Sequence, residues 1–150
     1  MSKTRIEKDS MGELAVPAEA LYAAQTQRAV DNFPVSGQPM PAPFIRALLL
    51  AKRAAASANS ELEQIPSELA EAICGAVDEL LATDFMPHFP VDVFQTGSGT
   101  SSNMNANEVL ATLAARRYGQ PVSANDHINC GQSSNDIIPS SIHISAAMEL

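Results

Sequence analysis

The sequence predicts a mostly α-helical fold with a short β or irregular arm at its start. Three observations carry this expectation. Apolar residues make up 45% of the chain while aromatics reach only 5% and Trp is absent, so alanine and leucine must fill the core, as they do between closely packed helices. From Phe44 onward apolar residues recur in steps of three and four, the spacing of a helical stripe. Strand-like alternation is confined to the beginning, where Ile6, Leu14 and Val16 flank a turn at Ser10, Met11 and Gly12. With 150 residues the chain can form one domain with a real core.

Residues 4–16 therefore read as a hairpin or extended arm. Pro17 suits the first turn of a helix running through Leu21, Ala24 and Ala29 to Asp31. Residues 32–43 hold Pro34, Gly37, Pro39, Pro41 and Pro43 and form a loop. The clearest helix follows, with Phe44, Leu48, Ala51, Ala55, Ala58, Leu62 and Ile65 on one stripe. Pro66 interrupts it, and Leu69, Ile73, Ala76 and Leu80 continue the pattern in another helix. Pro87 and Pro90 mark residues 86–93 as a connector. From Thr100 the pattern is helical again, through Met104, Val109 and Leu113 to Arg117, with Gly119 as its stop. Residues 120–131 form a polar loop, and a last helix starts after Ser133. Pro139 sits near its first turn, Ile142, Ala146 and Leu150 share one face, and no stop signal follows.

Net charge is −8 and no basic run occurs, which argues against a nucleic-acid partner. No window approaches the ~20 apolar residues that span a bilayer, and the amino terminus lacks the apolar core of a signal peptide. The expectation is a soluble cytoplasmic chain without a membrane partner. Cys74 and Cys130 stand apart, without CxxC or metal-type spacing, so a reducing compartment is expected and no metal site. Cys74 lies in an apolar helical pattern and is expected in the core; Cys130 lies in the polar loop. None of His88, His127 and His143 has an evident carboxylate to orient it, so none is given a catalytic role; His143, in an apolar run, is expected to be packed.

Chemistry concentrates in two polar segments. FQTGSGTSSNMNANEV, from Phe94 to Val109, sets Ser98, Thr100, Ser101 and Ser102 around Gly97 and Gly99 ahead of a helix. Glycines let successive amides converge, hydroxyls donate, and the helix dipole favours an anion, so a carboxylate or phosphate suits the segment. Ser, Thr and Gly are also what helix starts prefer, and such a short pattern is more often a cap. QSSND, at Gln132 to Asp136, offers Ser133, Ser134 and Asn135 under the same ambiguity. Two such segments can clamp the two ends of a dicarboxylate, although spacing alone does not bring them together. Ser123 to His127 is a third polar patch, which reads as an Asx-type turn.

With these motifs in order, and with TRIEKDSMGELAVP at Thr4 to Pro17, YAAQTQRAVDNFP at Tyr22 to Pro34 and INCGQSSNDIIPSSIHI at Ile128 to Ile144, the chain resembles class II fumarate hydratase of the fumarase/aspartase superfamily. The resemblance covers essentially the whole chain. It implies the superfamily's N-terminal helical domain over residues 1–132 and, from 133 to 150, the start of the central helical bundle, the chain ending inside the first bundle helix. It implies reversible addition of water to fumarate to give L-malate in the tricarboxylic acid cycle, with no metal or organic cofactor, by a homotetramer whose active sites are shared among subunits. In the family's elimination direction a base removes the C3 proton, an aci-carboxylate forms and hydroxide leaves, so stabilising that carboxylate is the main electrostatic task.

Residue by residue, Ser98, Gly99 and Thr100 match the family's first substrate-binding loop and Ser133, Ser134 and Asn135 its second. Ser98 and Ser134 favour fumarase over aspartate ammonia-lyase, the near alternative; a non-catalytic helical interaction module is the remote one. The family's second dicarboxylate site is marked by a His-Pro-Asn-Asp loop, of which Asn125 and Asp126 remain while Ser123 and Ala124 depart from it. The catalytic histidine and serine of the family belong to patterns that do not occur in this sequence. No catalytic residue is therefore expected in this chain, and alone it is expected to be inactive.

Overall fold

The structure, a computed structural model, describes residues 3–150. Strands β1 (Thr4–Asp9) and β2 (Gly12–Pro17) form an antiparallel hairpin in which Thr4 faces Pro17 and Asp9 faces Gly12. Five helices follow: α1 (Ala24–Asn32), α2 (Ala42–Glu61), α3 (Ser67–Leu81), α4 (Thr100–Tyr118) and α5 (Ser134–Glu149). Short 3₁₀ turns at Met86–His88 and Gly97–Gly99, and a π-turn at Ala124–Ile128, lie between them. Helix α2 packs against α3 and α5, while α4 packs against α1, α3 and α5. The mostly helical fold with a β arm matches the expectation.

At the start of α1 the expectation fails because of side chains from elsewhere in the chain. No helix begins at Pro17, which closes β2. The Arg5 guanidinium donates to the carbonyls of Pro17 (2.9 Å), Ala20 (2.7 Å) and Tyr22 (2.7 Å), holding that segment extended. Helix α1 starts only at Ala24, where the Glu108 carboxylate from α4 accepts from the backbone N–H groups of Ala23 (3.0 Å), Gln25 (2.9 Å) and Thr26 (3.0 Å). These are the donors a helix start leaves unpaired, and a buried anion satisfies them. Arg28 of α1 grips Asp9 with both arms of its fork, at 2.7 and 2.9 Å, and ties the hairpin down.

The α2 stripe is also displaced. Its buried residues are Phe44, Ile45, Ala47, Leu48, Leu49, Lys52 and Ala56, whereas Leu62 is exposed and Ala58 lies on the surface. The helix ends at Glu61 because Glu63 turns into the left-handed region (φ 56), which returns Ile65 to the core beyond the helix. The α3 residues Leu69, Ile73, Ala76 and Leu80 are buried as expected. Cys74 is half-buried rather than in the core: it sits at the α2–α3 seam, its Sγ 3.6 Å from Ser57 Oγ. His143 is exposed on α5, not packed. Gly119 ends α4 in the left-handed conformation (φ 75), as its position implies.

The innermost helix is α4. Ser101, Ser102, Asn103, Asn105, Asn107 and Glu108 in its first half are all buried, so this end is a buried polar core rather than an amphipathic surface. Among the described residues, no helix is long and apolar enough to cross a membrane.

Candidate functional site

The glycine loop and the start of α5 meet. Gly99 lies so close to α5 that a Cβ built on it falls 3.0 Å from Ile138 Cγ2. Gly99 is also left-handed (φ 66), so any side chain there meets both strain and a clash. Ser98 adopts the same region (φ 62), a conformation that costs an L-residue about 1–2 kcal/mol. Two successive left-handed positions turn the loop sharply into α4, and Ser98 and Thr100 are left exposed. On the other side Ser133, Ser134 and Asn135 occupy the N-terminal turn of α5, Ser134 half-buried and its neighbours exposed. Pro139 lacks an N–H, so the Asn135 carbonyl has no intrahelical donor and stays available.

Both helix starts show which groups do the capping. At α4, Thr96 Oγ1 accepts from the Ser101 N–H (3.2 Å) and Gln95 Oε1 from the Ser102 N–H (2.8 Å). Gln95 is held in turn by donating to Asp92 O and Ser102 Oγ, both at 2.9 Å. Thr96 and Gln95 therefore take the capping role that the motif suggested for Ser98 and Thr100. Thr100 Oγ1 makes only a long bond to Gly97 O (3.3 Å). At α5 no side chain caps the helix, since the Asp136 and Ile137 N–H groups go to the Ser133 carbonyl (3.0 and 2.9 Å). The hydroxyls of Ser98, Thr100 and Ser133 and the amide of Asn135 face outward with no structural duty in their helix starts. They are free to hydrogen-bond to solvent or to a ligand.

Beneath this surface lies a buried polar cluster that the sequence did not reveal. Lys52 is 1% exposed. Its Nζ donates to Asn129 Oδ1 (3.0 Å) and Gln132 Oε1 (2.7 Å). Burial alone pushes the Lys52 ammonium down to about 7. Asn129 Oδ1 also accepts from Asn103 Nδ2 (3.2 Å) and Asn107 Nδ2 (3.3 Å), and Asn103 Nδ2 donates to Ser134 Oγ (3.0 Å). The oxygens of Asn103 and Asn107 find no partner among the described residues, an arrangement that costs about 1–3 kcal/mol each. The signal was present: Lys52 stands four residues after Leu48 and four before Ala56, on the core stripe, where a lysine belongs only if hydrogen-bonded.

Asn125 and Asp126 lie apart from both loops in their contacts. Ser123 Oγ accepts from the Asp126 N–H and donates to its carboxylate, each at 3.0 Å, and His127 Nδ1 accepts from the Ser123 N–H at 3.0 Å. This is a self-contained polar turn. His88 accepts weakly from the Leu21 N–H (3.4 Å), and burial, then Arg116, lowers its pKa. Within the connector, burial raises the Asp92 carboxyl, but N–H donors from Phe94, Ser36 and Gly37 and the Ser36 hydroxyl outweigh it and hold it at about 2.

Comparison with known proteins places this architecture. A family model described as a lyase matches residues 12–150. The chain is 73% identical over its whole length to fumarate hydratase class II 2 of Pseudomonas aeruginosa, covering 33% of that protein. It is 56% identical to fumarate hydratase class II of Xylella fastidiosa over 96% of its own length and 30% of the relative's. Among solved structures, class II fumarase from Schistosoma mansoni superposes with a TM-score of 0.92 at 41% identity, over 98% of this chain and 32% of that one. A fumarate lyase:delta crystallin from Brucella melitensis gives 0.89 at 42% identity, over 97% and 34%. The chain thus spans about a third of the length of the relatives it matches.

Proposed function

The chain belongs to the lyase family, and from that membership we propose that it supplies the substrate-carboxylate loops of a class II fumarase, which hydrates fumarate reversibly to L-malate in the tricarboxylic acid cycle. The observation that carries this reading is the meeting of Gly99 with Ile138. It sets Ser98, Gly99 and Thr100 beside Ser133, Ser134 and Asn135 while Thr96 and Gln95 do the capping. Neutral donors at two helix starts suit a dianion: they hydrogen-bond the carboxylate without offering a proton strong enough to neutralise it. Because charge grows on that carboxylate as the C3 proton leaves, donors fixed before the reaction stabilise the intermediate more than the substrate.

In this reading residues 1–132 form the N-terminal lyase domain and 133–150 open the helical bundle of a cytoplasmic homotetramer that uses no cofactor. Asn125 and Asp126 are a second dicarboxylate site only through their backbone, since their side chains turn toward Ser123 or solvent. In this reading the 150-residue chain alone is inactive, because the family's patterns that carry its catalytic histidine and serine do not occur in the sequence.

The test uses the complete lyase that carries this chain, assayed with fumarate, L-malate and aspartate. Fumarate hydration with no release of ammonia from aspartate is expected; the opposite pattern would make it an aspartate ammonia-lyase. Thr100→Ala and Asn135→Ala are each expected to lower kcat by roughly 10²–10³, and an unchanged rate in both would remove the two loops from the site.

A further inference from the structure

As an ammonium Lys52 has three N–H groups and no lone pair, so it can donate but not accept, and it stands at the inner end of a hydrogen-bond chain that surfaces at Ser134. Its Nζ fixes Asn129 Oδ1 and Gln132 Oε1 as acceptors. With that oxygen turned inward, Asn129 Nδ2 is left to donate to the Gln132 carbonyl (3.1 Å), the peptide that leads into Ser133. Gln132 Nε2 likewise donates to Ile128 O (2.9 Å) and Cys130 O (3.3 Å). The segment before α5 is clamped from inside, and α2 adds a second hold where Asn59 Nδ2 donates to Cys130 O (2.9 Å).

The direction of donation then passes outward. Because Asn129 Oδ1 is an acceptor, Asn103 must present its NH₂ to it (3.2 Å), and the same nitrogen donates to Ser134 Oγ (3.0 Å). A serine hydroxyl has one hydrogen and two lone pairs. With a lone pair engaged by Asn103 from within, the hydroxyl hydrogen is free to point away from the interior.

The geometry points to Lys52, Asn129 and Asn103 as a buried donor relay that keeps Ser134 a hydrogen-bond donor toward the carboxylate held between the two loops. This rests on the carboxylate reading given above and assigns that site a supporting set of residues. They are positioning residues, acting on the ligand only through Ser134. The burial that pushes the lysine toward neutrality also leaves its charge unscreened, so each bond along the chain is stronger than a surface bond. Two buried amide oxygens without partners, on Asn103 and Asn107, are what the arrangement gives up to keep both NH₂ groups turned inward.

The decisive variant reverses one donor without changing shape. Asn103→Asp puts a carboxylate oxygen where Nδ2 stood, so the Ser134 hydroxyl must turn inward and donate to it, while Lys52 nearby offsets the new charge. In the complete lyase, Asn103→Asp, Lys52→Met and Ser134→Ala are each expected to raise KM for fumarate about tenfold, equivalent to ~1.4 kcal/mol. In the Ser134→Ala background neither should add anything, because the relay would have nothing left to orient. Effects that simply sum would overturn the proposal and leave the cluster a core element. Should the complete protein hydrate no fumarate, the carboxylate reading fails, and the relay is judged on the 150-residue chain by NMR. The Asn103 side-chain amide protons are expected to exchange slowly in the parent and at least tenfold faster in Lys52→Met, with α3 amides unchanged. Equal exchange in the two proteins, or acceleration throughout, would rule the relay out.

Discussion

Lys52 keeps its ammonium among amides, with no carboxylate among its hydrogen-bond partners. Its folded-state pKa of about 7 lies below the unfolded value of 10.5, so between these limits the native state binds fewer protons than the unfolded one. Stability therefore rises with pH across that window, by up to ~1.4 kcal/mol per pH unit for this group. Below pH 7 both states are protonated and the burial cost is felt in full. Denaturant titrations at pH 6 to 10 on the parent and on Lys52→Met are expected to show this slope only in the parent. Parallel curves would mean that the ammonium is solvated. Asp92 moves the other way: held at about 2, it stabilises the 36–38 loop above the ordinary carboxylate range and lets go as pH falls from there toward 2.

At the scale of elements, Glu108 shows how one helix starts another. The carboxylate takes three backbone N–H groups and the Thr26 hydroxyl (2.6 Å), so the first turn of α1 depends on a residue of α4. Glu108→Ala leaves the buried Thr26 N–H and hydroxyl and the partly buried N–H groups of Ala23 and Gln25 without their acceptor, and about 3 kcal/mol should be lost. The loss should centre on α1 and the hairpin that Arg28 fastens to it. Hydrogen exchange of residues 4–32 checks this: even exchange across the chain would mean that α1 has another anchor. The same element-level logic explains why Pro17, a good helix opener by its chemistry, opens none. Arg5 had already claimed the carbonyls of that segment.

Across the whole molecule, the apolar surface is unevenly covered. Ile142, Ile144 and Met148 on α5 and Leu150 just beyond it are exposed, the first at 51%, although Ile138 on the same helix is buried against the core. A helix apolar on both sides calls for packing on both sides. The chain is expected to self-associate in a concentration-dependent way, and Ile144→Lys with Met148→Lys to make it monomeric by analytical ultracentrifugation. A parent that stays monomeric at all concentrations would show that the outer face is tolerated bare.

The sequence by itself determined the helical class, most of the helix spans and the two hydroxyl-rich loops, because each depends on local periodicity, on glycine and proline, or on a contiguous motif. The stop of α4 at Gly119 and the buried face of α3 are of this kind. Only the tertiary structure decided that the loops meet, since the approach of Gly99 to Ile138 is a contact between segments far apart in the chain. It also decided which residues cap and which are left free, because Gln95 and Thr96 could have exchanged that duty with Ser98 and Thr100 on local grounds alone. The placement of Lys52 beneath Ser134 belongs with these: a buried charge is set by its partners, and Asn129, Gln132 and Asn103 reach it from other elements.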